Sequence, residues 1–193
     1  MTRAAGAAVP AGAGHRAAEA ARIEDETTNG AGRARREGVI ADMLEKTLVL
    51  VKPDAMQRGL ASEVLGRLER RGLKIVAMRL VHIDEALARR HYAEHAGKPF
   101  LEGLVGFITS SPVIAAVFEG ENAIALVRQT MGVTDPAKSL PGTIRGDLGV
   151  NLGRNLIHGS DGPESAKREI ALFFDEKDIL SYERSLDGWI KEG

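Results

Sequence analysis

The residues of this chain that could do chemistry are concentrated around one histidine, His158, within Asn-Leu-Ile-His-Gly-Ser-Asp at 155–161. Asn155 lies three residues before it, and a glycine, the hydroxyl of Ser160 and the carboxylate of Asp161 follow it directly. Hydrogen-bonding neighbours can hold an imidazole in one tautomer, and a small residue leaves one side of the ring open. These are the requirements of a histidine that forms a covalent bond with a substrate, so His158 is the candidate nucleophile.

Residues that could bind phosphate, three of them cationic, lie at predicted element ends and in loops. Lys52 directly follows the first predicted strand, Arg128 lies late in a predicted helix, and Thr134 and Arg145 flank or occupy a long loop. Two arginines and a lysine that converge would suit a polyphosphate, because a guanidinium binds phosphate oxygens with two parallel hydrogen bonds. Taken singly, each cation is more simply explained as a solvated surface charge.

Composition excludes several classes of function. Hydrophobic residues make up 44% of the 193 residues, the formal net charge is −1, and there is no cysteine. Disulfides, thiolate metal sites and cysteine nucleophiles are therefore excluded, and neither nucleic acid nor membrane binding is favoured by charge. No apolar run approaches the ~20 residues of a membrane span, so we expect a cytoplasmic protein. No P-loop or dinucleotide-binding glycine motif occurs either.

Residues 1–42 differ from the rest of the chain. They contain thirteen alanines, six glycines, six arginines and six acidic residues, but no leucine and no aromatic residue. Such a segment buries too little apolar surface to offset its ordering entropy. The sequence therefore predicts a disordered extension over residues 1–42 and one folded domain over residues 43–193.

The domain shows an alternation of strand-like and helix-like patterns. Strands are predicted at residues 47–51, 73–83, 113–118 and 170–174. Helices are predicted at residues 61–71, from a cap at Asp84 to Tyr92, from about 122 to 131, and at 164–171. An apolar stretch of unassigned structure covers residues 100–108. Residues 134–154 have little periodicity, and long loops are usually functional. The order strand, helix, strand, strand, helix, strand predicts an α/β (α+β) ferredoxin-like sandwich, with helices on one face of a four-stranded antiparallel sheet.

Four segments carry a resemblance to a known family. In chain order they are Leu-Val-Leu-Val-Lys-Pro-Asp-Ala-Met-Gln-Arg-Gly (48–59), His-Tyr-Ala-Glu-His-Ala-Gly-Lys-Pro-Phe (91–100), Pro-Gly-Thr-Ile-Arg-Gly-Asp (141–147) and Asn-Leu-Ile-His-Gly-Ser-Asp (155–161). This is the order in which similar segments occur in nucleoside diphosphate kinases. The chain resembles that family from about residue 45 to residue 189. The resemblance implies the same ferredoxin-like fold and the transfer of a γ-phosphoryl group from a nucleoside triphosphate such as ATP to a nucleoside diphosphate.

The resemblance also implies a role for each matching residue. His158 would carry the phosphoryl group on Nδ1, with Glu169 bound to the other ring nitrogen and assisted by Ser160. The residues implied in binding the phosphates and ribose are Lys52, Tyr92, Arg128, Thr134, Arg145 and Asn155. Phe100, with Leu104 nearby, would stack on the base. Mg²⁺ would be held mainly by the nucleotide phosphates and water, with Asp161 near it.

Two departures from the family pattern lie away from the chemistry. Leu101 stands where many relatives have a second aromatic residue, and Ala55 where a glycine is common. The C-terminal tail resembles that of the longer, hexamer-forming members, so we expect a homohexamer with Leu140 in a loop at subunit contacts and Trp189 packed on the body or on a neighbour. Two other functions stay open on this fold: a phosphohistidine relay to proteins, and a regulatory protein that binds nucleic acid or a partner.

Overall fold

The computed structural model describes residues 44–190. Within that range the strands are β1 (Leu44–Val51), β2 (Lys74–Val81), β3 (Val113–Glu121) and β4 (Ile157–Gly159). The α-helices are α1 (Pro53–Gln57), α2 (Ala61–Arg70), α3 (Glu85–His91), α4 (Leu101–Ile108), α5 (Ala123–Met131), α6 (Ile144–Leu148), α7 (Pro163–Phe173) and α8 (Asp187–Ile190). Single 3₁₀ turns occupy Ala93–His95, Pro136–Lys138 and Glu176–Asp178. The predicted extension, residues 1–42, lies outside the described residues.

The sheet has the predicted four antiparallel strands, in the order β2-β3-β1-β4. The ferredoxin-like α+β class is therefore confirmed. In the centre, β1 pairs with β3 along its whole length, and Leu50 near its end pairs with His158 of β4. Because Lys52 directly follows β1, this register brings the lysine and the histidine to the same end of the sheet.

Helices cover both faces of β1, so the expectation of helices on one face is wrong. Leu48 and Leu50 pack in a cluster with residues of α3, α4 and α7, whereas Val49 and Val51 pack in a second cluster with residues of α1, α2, α5 and α6. All four side chains are fully buried. Successive side chains of a strand point to opposite faces, and an uninterrupted apolar run is typical of a strand that is buried on both.

The fourth strand is β4, not residues 170–174 as predicted. Positions 170–173 form the last turn of α7, in which Ala166 and Phe173 are buried and Ile170 is half-buried. Their spacing of four and three residues is that of one helical face, and a short apolar run alone does not distinguish a strand from a helix. The correction places His158 on a strand of the sheet.

Local turn chemistry explains other boundaries. Asp84 caps α3 as predicted, accepting a hydrogen bond from the amide of Leu87 at 2.7 Å. By contrast, β3 continues to Glu121, three residues beyond its predicted end, and the chain turns into α5 at Asn122, which has a left-handed φ of 52°. Asparagine tolerates that conformation better than most residues. The weakly periodic segment 134–154 is also less irregular than predicted, since it contains α6 and one 3₁₀ turn.

Candidate active site

His158 is held through one ring nitrogen by a carboxylate from a neighbouring helix. Its Nε2 lies 2.9 Å from Oε2 of Glu169 on α7, and the hydroxyl of Ser160 donates to the same oxygen at 2.7 Å. The side chain of His158 is 24% exposed, whereas Glu169 and Ser160 are buried. A carboxylate only accepts hydrogen bonds, so this contact selects the tautomer with its proton on Nε2 and its lone pair on Nδ1.

The carboxylate of Glu169 stays ionised in this buried position. Burial alone would raise its pKa, but the hydrogen bonds from His158 and Ser160 and the attraction of the imidazole hold the pKa below its ordinary value. Ser160 is fixed in turn, because the amide of Leu48 in β1 donates to its hydroxyl at 3.3 Å. Glu169 is thus a buried anion that orients the histidine ring and is connected to the sheet through Ser160.

Lys52 and Asn155 form a polar link beside the histidine. The ammonium of Lys52 donates to Oδ1 of Asn155 at 2.7 Å, and Nδ2 of Asn155 donates to the backbone carbonyl of Thr134 at 3.0 Å. Burial, together with repulsion from Arg145, lowers the pKa of Lys52 to about 8, and Asp54 opposes the shift. Lys52 is therefore a cation that is incompletely compensated by the protein, and an anionic ligand would stabilise its charge.

The backbone between Asn155 and His158 is fixed in an uncommon conformation. Leu156 has a φ of +69° although its side chain is fully buried. Its amide donates to Oδ2 of Asp54 at 3.0 Å, and its carbonyl accepts from the amide of Lys52 at 2.9 Å. A left-handed leucine costs roughly 1–2 kcal/mol and persists only where its surroundings determine it. These two hydrogen bonds tie the segment before the histidine to the end of β1.

Arg145 is buried beneath the same segment and binds backbone carbonyls. Its guanidinium donates to the carbonyl oxygens of Asn155 at 3.1 Å, Gly132 at 3.0 Å and Ile157 at 2.7 Å. Burial and repulsion from Arg128 lower the pKa of Arg145 to about 10. A guanidinium has five N–H donors, so two are left beyond these three contacts. Arg145 has a clear structural role, and two of its N–H groups are not used in these three contacts.

A row of rings leads away from His158 along the α3–α4 connection. Tyr92 is buried, and burial together with the charge of Glu169 raises its pKa to about 12. His95 stacks on Tyr92 with 6.0 Å between ring centroids and meets Phe100 edge to face at 5.5 Å. Phe100 directly precedes α4 as its N-cap residue and is 52% exposed, and Leu104 follows one turn later. An exposed aromatic ring offers a surface on which a base can stack.

Asp161 lies at the exposed edge of the site, just after β4. Its carboxylate accepts a hydrogen bond from the hydroxyl of Ser165, and that hydroxyl also accepts from the amide of Gly162 at 3.0 Å. Asp161 thereby stabilises the first turn of α7, the helix that carries Glu169.

A second histidine, His91, contacts the first. It ends α3, is 2% exposed, and its ring meets that of His158 edge to face with 4.7 Å between centroids and an angle of 82°. None of the described residues forms a hydrogen bond with either of its ring nitrogens. Burial and repulsion from His158 lower the pKa of His91 to about 3, against an opposing attraction from Glu169. His91 is therefore neutral at all physiological pH values.

Comparison with known proteins identifies the family. Residues 45–179 match the family model for nucleoside diphosphate kinase. A nucleoside diphosphate kinase of Carboxydothermus hydrogenoformans is 58% identical over 149 residues, which cover 77% of this chain and 100% of the relative. One of Thermomicrobium roseum is 59% identical over 147 residues, covering 76% and 99% of the two chains. The chain belongs to the nucleoside diphosphate kinase family.

Solved structures of nucleoside diphosphate kinases have the same fold. The enzyme of Halobacterium salinarum in complex with CDP superimposes with a TM-score of 0.75 at 53% identity, covering 77% of this chain and 99% of the other. A transition-state mimic of the Borrelia burgdorferi enzyme with bound vanadate and ADP gives a TM-score of 0.71 at 39% identity, covering 75% and 95%.

As a nucleoside diphosphate kinase, this protein is an enzyme that transfers a phosphoryl group from a nucleoside triphosphate to a nucleoside diphosphate. The two alternatives left open by the sequence, a phosphohistidine relay and a binding or regulatory protein, are not favoured by these matches. Among the helices within residues 44–190, none is long and apolar enough to cross a membrane.

Among the predicted site residues of this nucleoside diphosphate kinase, hydrogen bonds link His158 and Ser160 to Glu169, and others link Lys52, Arg145 and Thr134 to Asn155. The sequence did not single out His91. From its position on a helix, His91 is explained as a surface residue. The informative pattern is its spacing from Ala88, since the two lie three residues apart on one face of α3 and both are buried. Helical spacing therefore could have placed His91 in the core, although not beside His158.

The buried His91 should make this nucleoside diphosphate kinase sensitive to mild acid. Unfolded histidine takes up a proton near pH 6.5, whereas folded His91 does so only near its pKa of about 3. The unfolded state therefore binds more protons between these values, and stability falls as pH falls, by up to about 1.4 kcal/mol per pH unit. Urea unfolding between pH 4.5 and 7.5 would measure this slope.

This pH range distinguishes the effect of His91 on stability from that of Glu169. The pKa of Glu169 is lowered from 4.5, so its contribution to the free energy of unfolding is lost only at lower pH. We expect His91→Phe to reduce the slope, since phenylalanine keeps a ring but has no proton to bind. The exposed His82 serves as the matched control, and His82→Gln should retain the slope. Equal slopes in the wild type and His91→Phe would contradict the prediction.

Proposed function

We propose that this nucleoside diphosphate kinase works in two half-reactions through a phosphohistidine on His158. The observation that carries the proposal is the contact of Nε2 with Glu169 at 2.9 Å, which leaves Nδ1 of a partly exposed ring as the basic nitrogen. A histidine must be neutral to attack phosphorus, because only the neutral ring has a nitrogen with a free lone pair. The buried Glu169 and Ser160 keep that ring in one orientation.

The two half-reactions are balanced without a proton donor. In the first, Nδ1 attacks the γ-phosphorus, an N–P bond forms, and the bond from this phosphorus to the β–γ bridging oxygen breaks, so that the nucleoside diphosphate leaves. In the second, a terminal oxygen of an acceptor diphosphate attacks phosphorus and the N–P bond returns its electron pair to Nδ1. Catalysis of such transfers consists mainly of positioning and charge stabilisation.

The cations beside the histidine supply that charge stabilisation. Lys52, Arg128 and Arg145 would bind the phosphate oxygens, with Asn155 and Thr134 orienting the phosphates and the ribose. The pKa of Lys52, lowered to about 8, supports this assignment, because an incompletely neutralised cation favours an anionic ligand. Tyr92 would contact the nucleotide phosphates from the α3 side, and Phe100 with Leu104 would form the stacking surface for the base.

The residues at the mouth of the site fit a magnesium ion that arrives with the nucleotide. Mg²⁺ prefers oxygen ligands and keeps several waters, bound through phosphates and one or two carboxylates. Asp161 provides an exposed carboxylate of that kind after β4. Bound there through water, the ion would neutralise developing phosphate charge.

A direct test is the isolation of the phosphoenzyme. Incubation with γ-labelled ATP and magnesium, without acceptor, should place about one label per chain in a linkage that is stable to alkali and labile to acid. Addition of a nucleoside diphosphate should discharge the label, and initial rates should give the parallel double-reciprocal plots of ping-pong kinetics. The absence of label without an acceptor, together with intersecting plots, would overturn the proposal.

Lys52 predicts a decline of activity in the alkaline range. Its charged form is the one that binds phosphate, so kcat/KM should fall above about pH 8, the pKa of Lys52 in the free enzyme. Rates at low substrate concentration between pH 7 and 9.5 would measure it. Lys52→Arg, which stays charged, should lose this decline, whereas Lys138→Arg at a side chain that is 79% exposed should keep it. An unchanged pH profile in Lys52→Arg would contradict the assignment.

Phe100 predicts a loss of affinity that is the same for every base. Base–aromatic stacking contributes about 1–3 kcal/mol, so Phe100→Ala should raise KM for nucleoside diphosphates roughly tenfold with a smaller change in kcat. Stacking does not distinguish base edges, so the rise in KM should be similar for nucleoside diphosphates with different bases. A loss confined to one base would indicate specific recognition and contradict this role.

Exposed apolar residues support the proposal of a homo-oligomer, and the resemblance of the C-terminal tail to that of hexamer-forming family members is the reason to propose a hexamer. Met78 (55% exposed) and Leu80 (65%) lie two residues apart on β2, an edge strand of the sheet, and Leu140 is 74% exposed. Exposed edge strands favour pairing with another chain. Trp189 is 88% exposed, so it does not pack on the described residues, and we propose a neighbouring chain as its contact. Sedimentation equilibrium should give six protomers, and Leu80→Lys a smaller assembly.

A further inference from the structure

Three potential metal ligands converge beside the proposed phosphoryl acceptor from three separate elements. His91 ends α3, His158 lies on β4, and Glu169 lies on α7. A ring nitrogen from each histidine and a carboxylate oxygen of Glu169 all lie within 4.8 Å of one another. Within residues 44–190, no second group of three histidine, cysteine or acidic side chains is arranged in this way.

His91 supplies an independent observation that points to a ligand. Its side chain is almost fully buried, at 2% exposure, and no described residue forms a hydrogen bond with Nδ1 or Nε2. Buried polar groups are nearly always paired, and each exception requires an explanation. The phosphoryl-transfer scheme uses His158 and Glu169 but leaves both nitrogens of His91 without a role.

We propose that His91, His158 and Glu169 form an inhibitory binding site for a divalent transition metal of the zinc class. Two imidazoles and a carboxylate are a ligand set of zinc sites that keep their fourth position open. Mg²⁺ prefers oxygen ligands in octahedral geometry, so it is selected against by this donor set. The zinc-class site is therefore chemically distinct from the magnesium that accompanies the nucleotide.

The geometry requires only modest shifts of the ligand atoms. Zinc–ligand bonds of about 2.0–2.1 Å in a tetrahedron place the ligand atoms roughly 3.4 Å apart. The Nε2 of His158 and Oε2 of Glu169 lie 2.9 Å apart and would separate slightly, whereas the widest separation in the cluster, at most 4.8 Å, would narrow. Since His91 is buried and the ring of His158 is partly exposed, the site would close by movement of the His158 ring from Glu169 toward His91.

Metal binding would block phosphorylation. This consequence rests on the proposed function, in which Nδ1 of His158 accepts the phosphoryl group. A metal ion on Nε2 of His158 displaces the proton of that nitrogen, and in the neutral ring the proton then lies on Nδ1, which loses the lone pair that attacks phosphorus. The same ion occupies the carboxylate of Glu169 that orients the ring. Zinc should therefore inhibit formation of the phosphoenzyme.

The experiment is a calorimetric titration of the full-length enzyme with Zn²⁺ in the absence of nucleotide. We expect one ion per chain, and Co²⁺ used as a probe should give the visible spectrum of a four-coordinate site. His91→Asn and Glu169→Gln should each lower the affinity by more than the roughly 10–100-fold that is typical when only an outer-shell partner of a ligand is lost. The exposed His82 provides the matched control, so His82→Asn should leave the affinity unchanged.

A second measurement needs no substitution. Labelling of the wild-type enzyme by γ-labelled ATP and magnesium should slow when Zn²⁺ is added first, and a chelator should restore the rate. Zinc affinities that are equal in wild type and folded His91→Asn, or labelling that is undiminished by bound Zn²⁺, would overturn the site. Failure to form any phosphoenzyme would instead overturn the proposed function, because the zinc titration itself does not depend on catalysis.

Discussion

Replacement of His158 by asparagine is expected to abolish the phosphoenzyme and to lower kcat for transfer from ATP to a nucleoside diphosphate by roughly 10⁴-fold or more. Asparagine has no basic nitrogen, so no covalent intermediate can form and both nucleotides would have to react directly. The β4 backbone that holds residue 158 pairs with Leu50 of β1 through main-chain atoms, which the substitution leaves in place. Steady-state rates and γ-phosphate labelling would measure the loss.

Two controls make the His158 prediction specific. Nucleotide binding, measured calorimetrically, should change far less than kcat, because Lys52 and Asn155 remain bonded to each other 2.7 Å apart. His95→Asn, at a histidine that contacts Tyr92 and Phe100 but lies outside the network of Glu169, should still form the phosphoenzyme. Equal labelling of His158→Asn and the wild type would refute the assignment of the nucleophile.

The Glu169→Gln variant is expected to lose roughly 10²–10⁴-fold in kcat by reversing the tautomer of His158. The carboxylate accepts from Nε2 at 2.9 Å, which keeps the lone pair on Nδ1. A glutamine amide can instead donate to Nε2, which places the proton on Nδ1 and removes its nucleophilic lone pair. The carboxylate also accepts from Ser160 at 2.7 Å, so Ser160→Ala should give a smaller loss in the same direction.

The matched control is Glu164→Gln, at an exposed acid in the first turn of the same helix. It should leave kcat within about twofold of the wild type, since surface charges contribute little. Labelled-nitrogen NMR of the imidazole would report the tautomer directly, with the Nε2–H form in the wild type and the Nδ1–H form in Glu169→Gln. A variant with normal kcat and the inverted tautomer would exclude Nδ1 as the attacking atom.

The sequence by itself determined those features that depend on neighbours along the chain. The apolar run before Lys52 gave a buried strand, Asp84 gave a helix cap, and both follow from local spacing and hydrogen bonding. The grouping of a polar residue, a glycine and a hydroxyl around His158 identified the candidate nucleophile before any fold was known. The phosphate-binding and stacking roles of the other residues stay predictions for the experiments above.

The tertiary structure alone decided what depends on residues far apart in the sequence. In the structure the fourth strand is β4, and both faces of β1 are buried. Arg145 donates to three backbone carbonyls, and the ring of His91 contacts that of His158. None of these follows from local periodicity, because a short apolar run suits either a strand or a helix, and the partner of a buried side chain is fixed by strand register and helix packing. Sequence spacing therefore predicts which histidine can react, while long-range packing determines which side chains surround it.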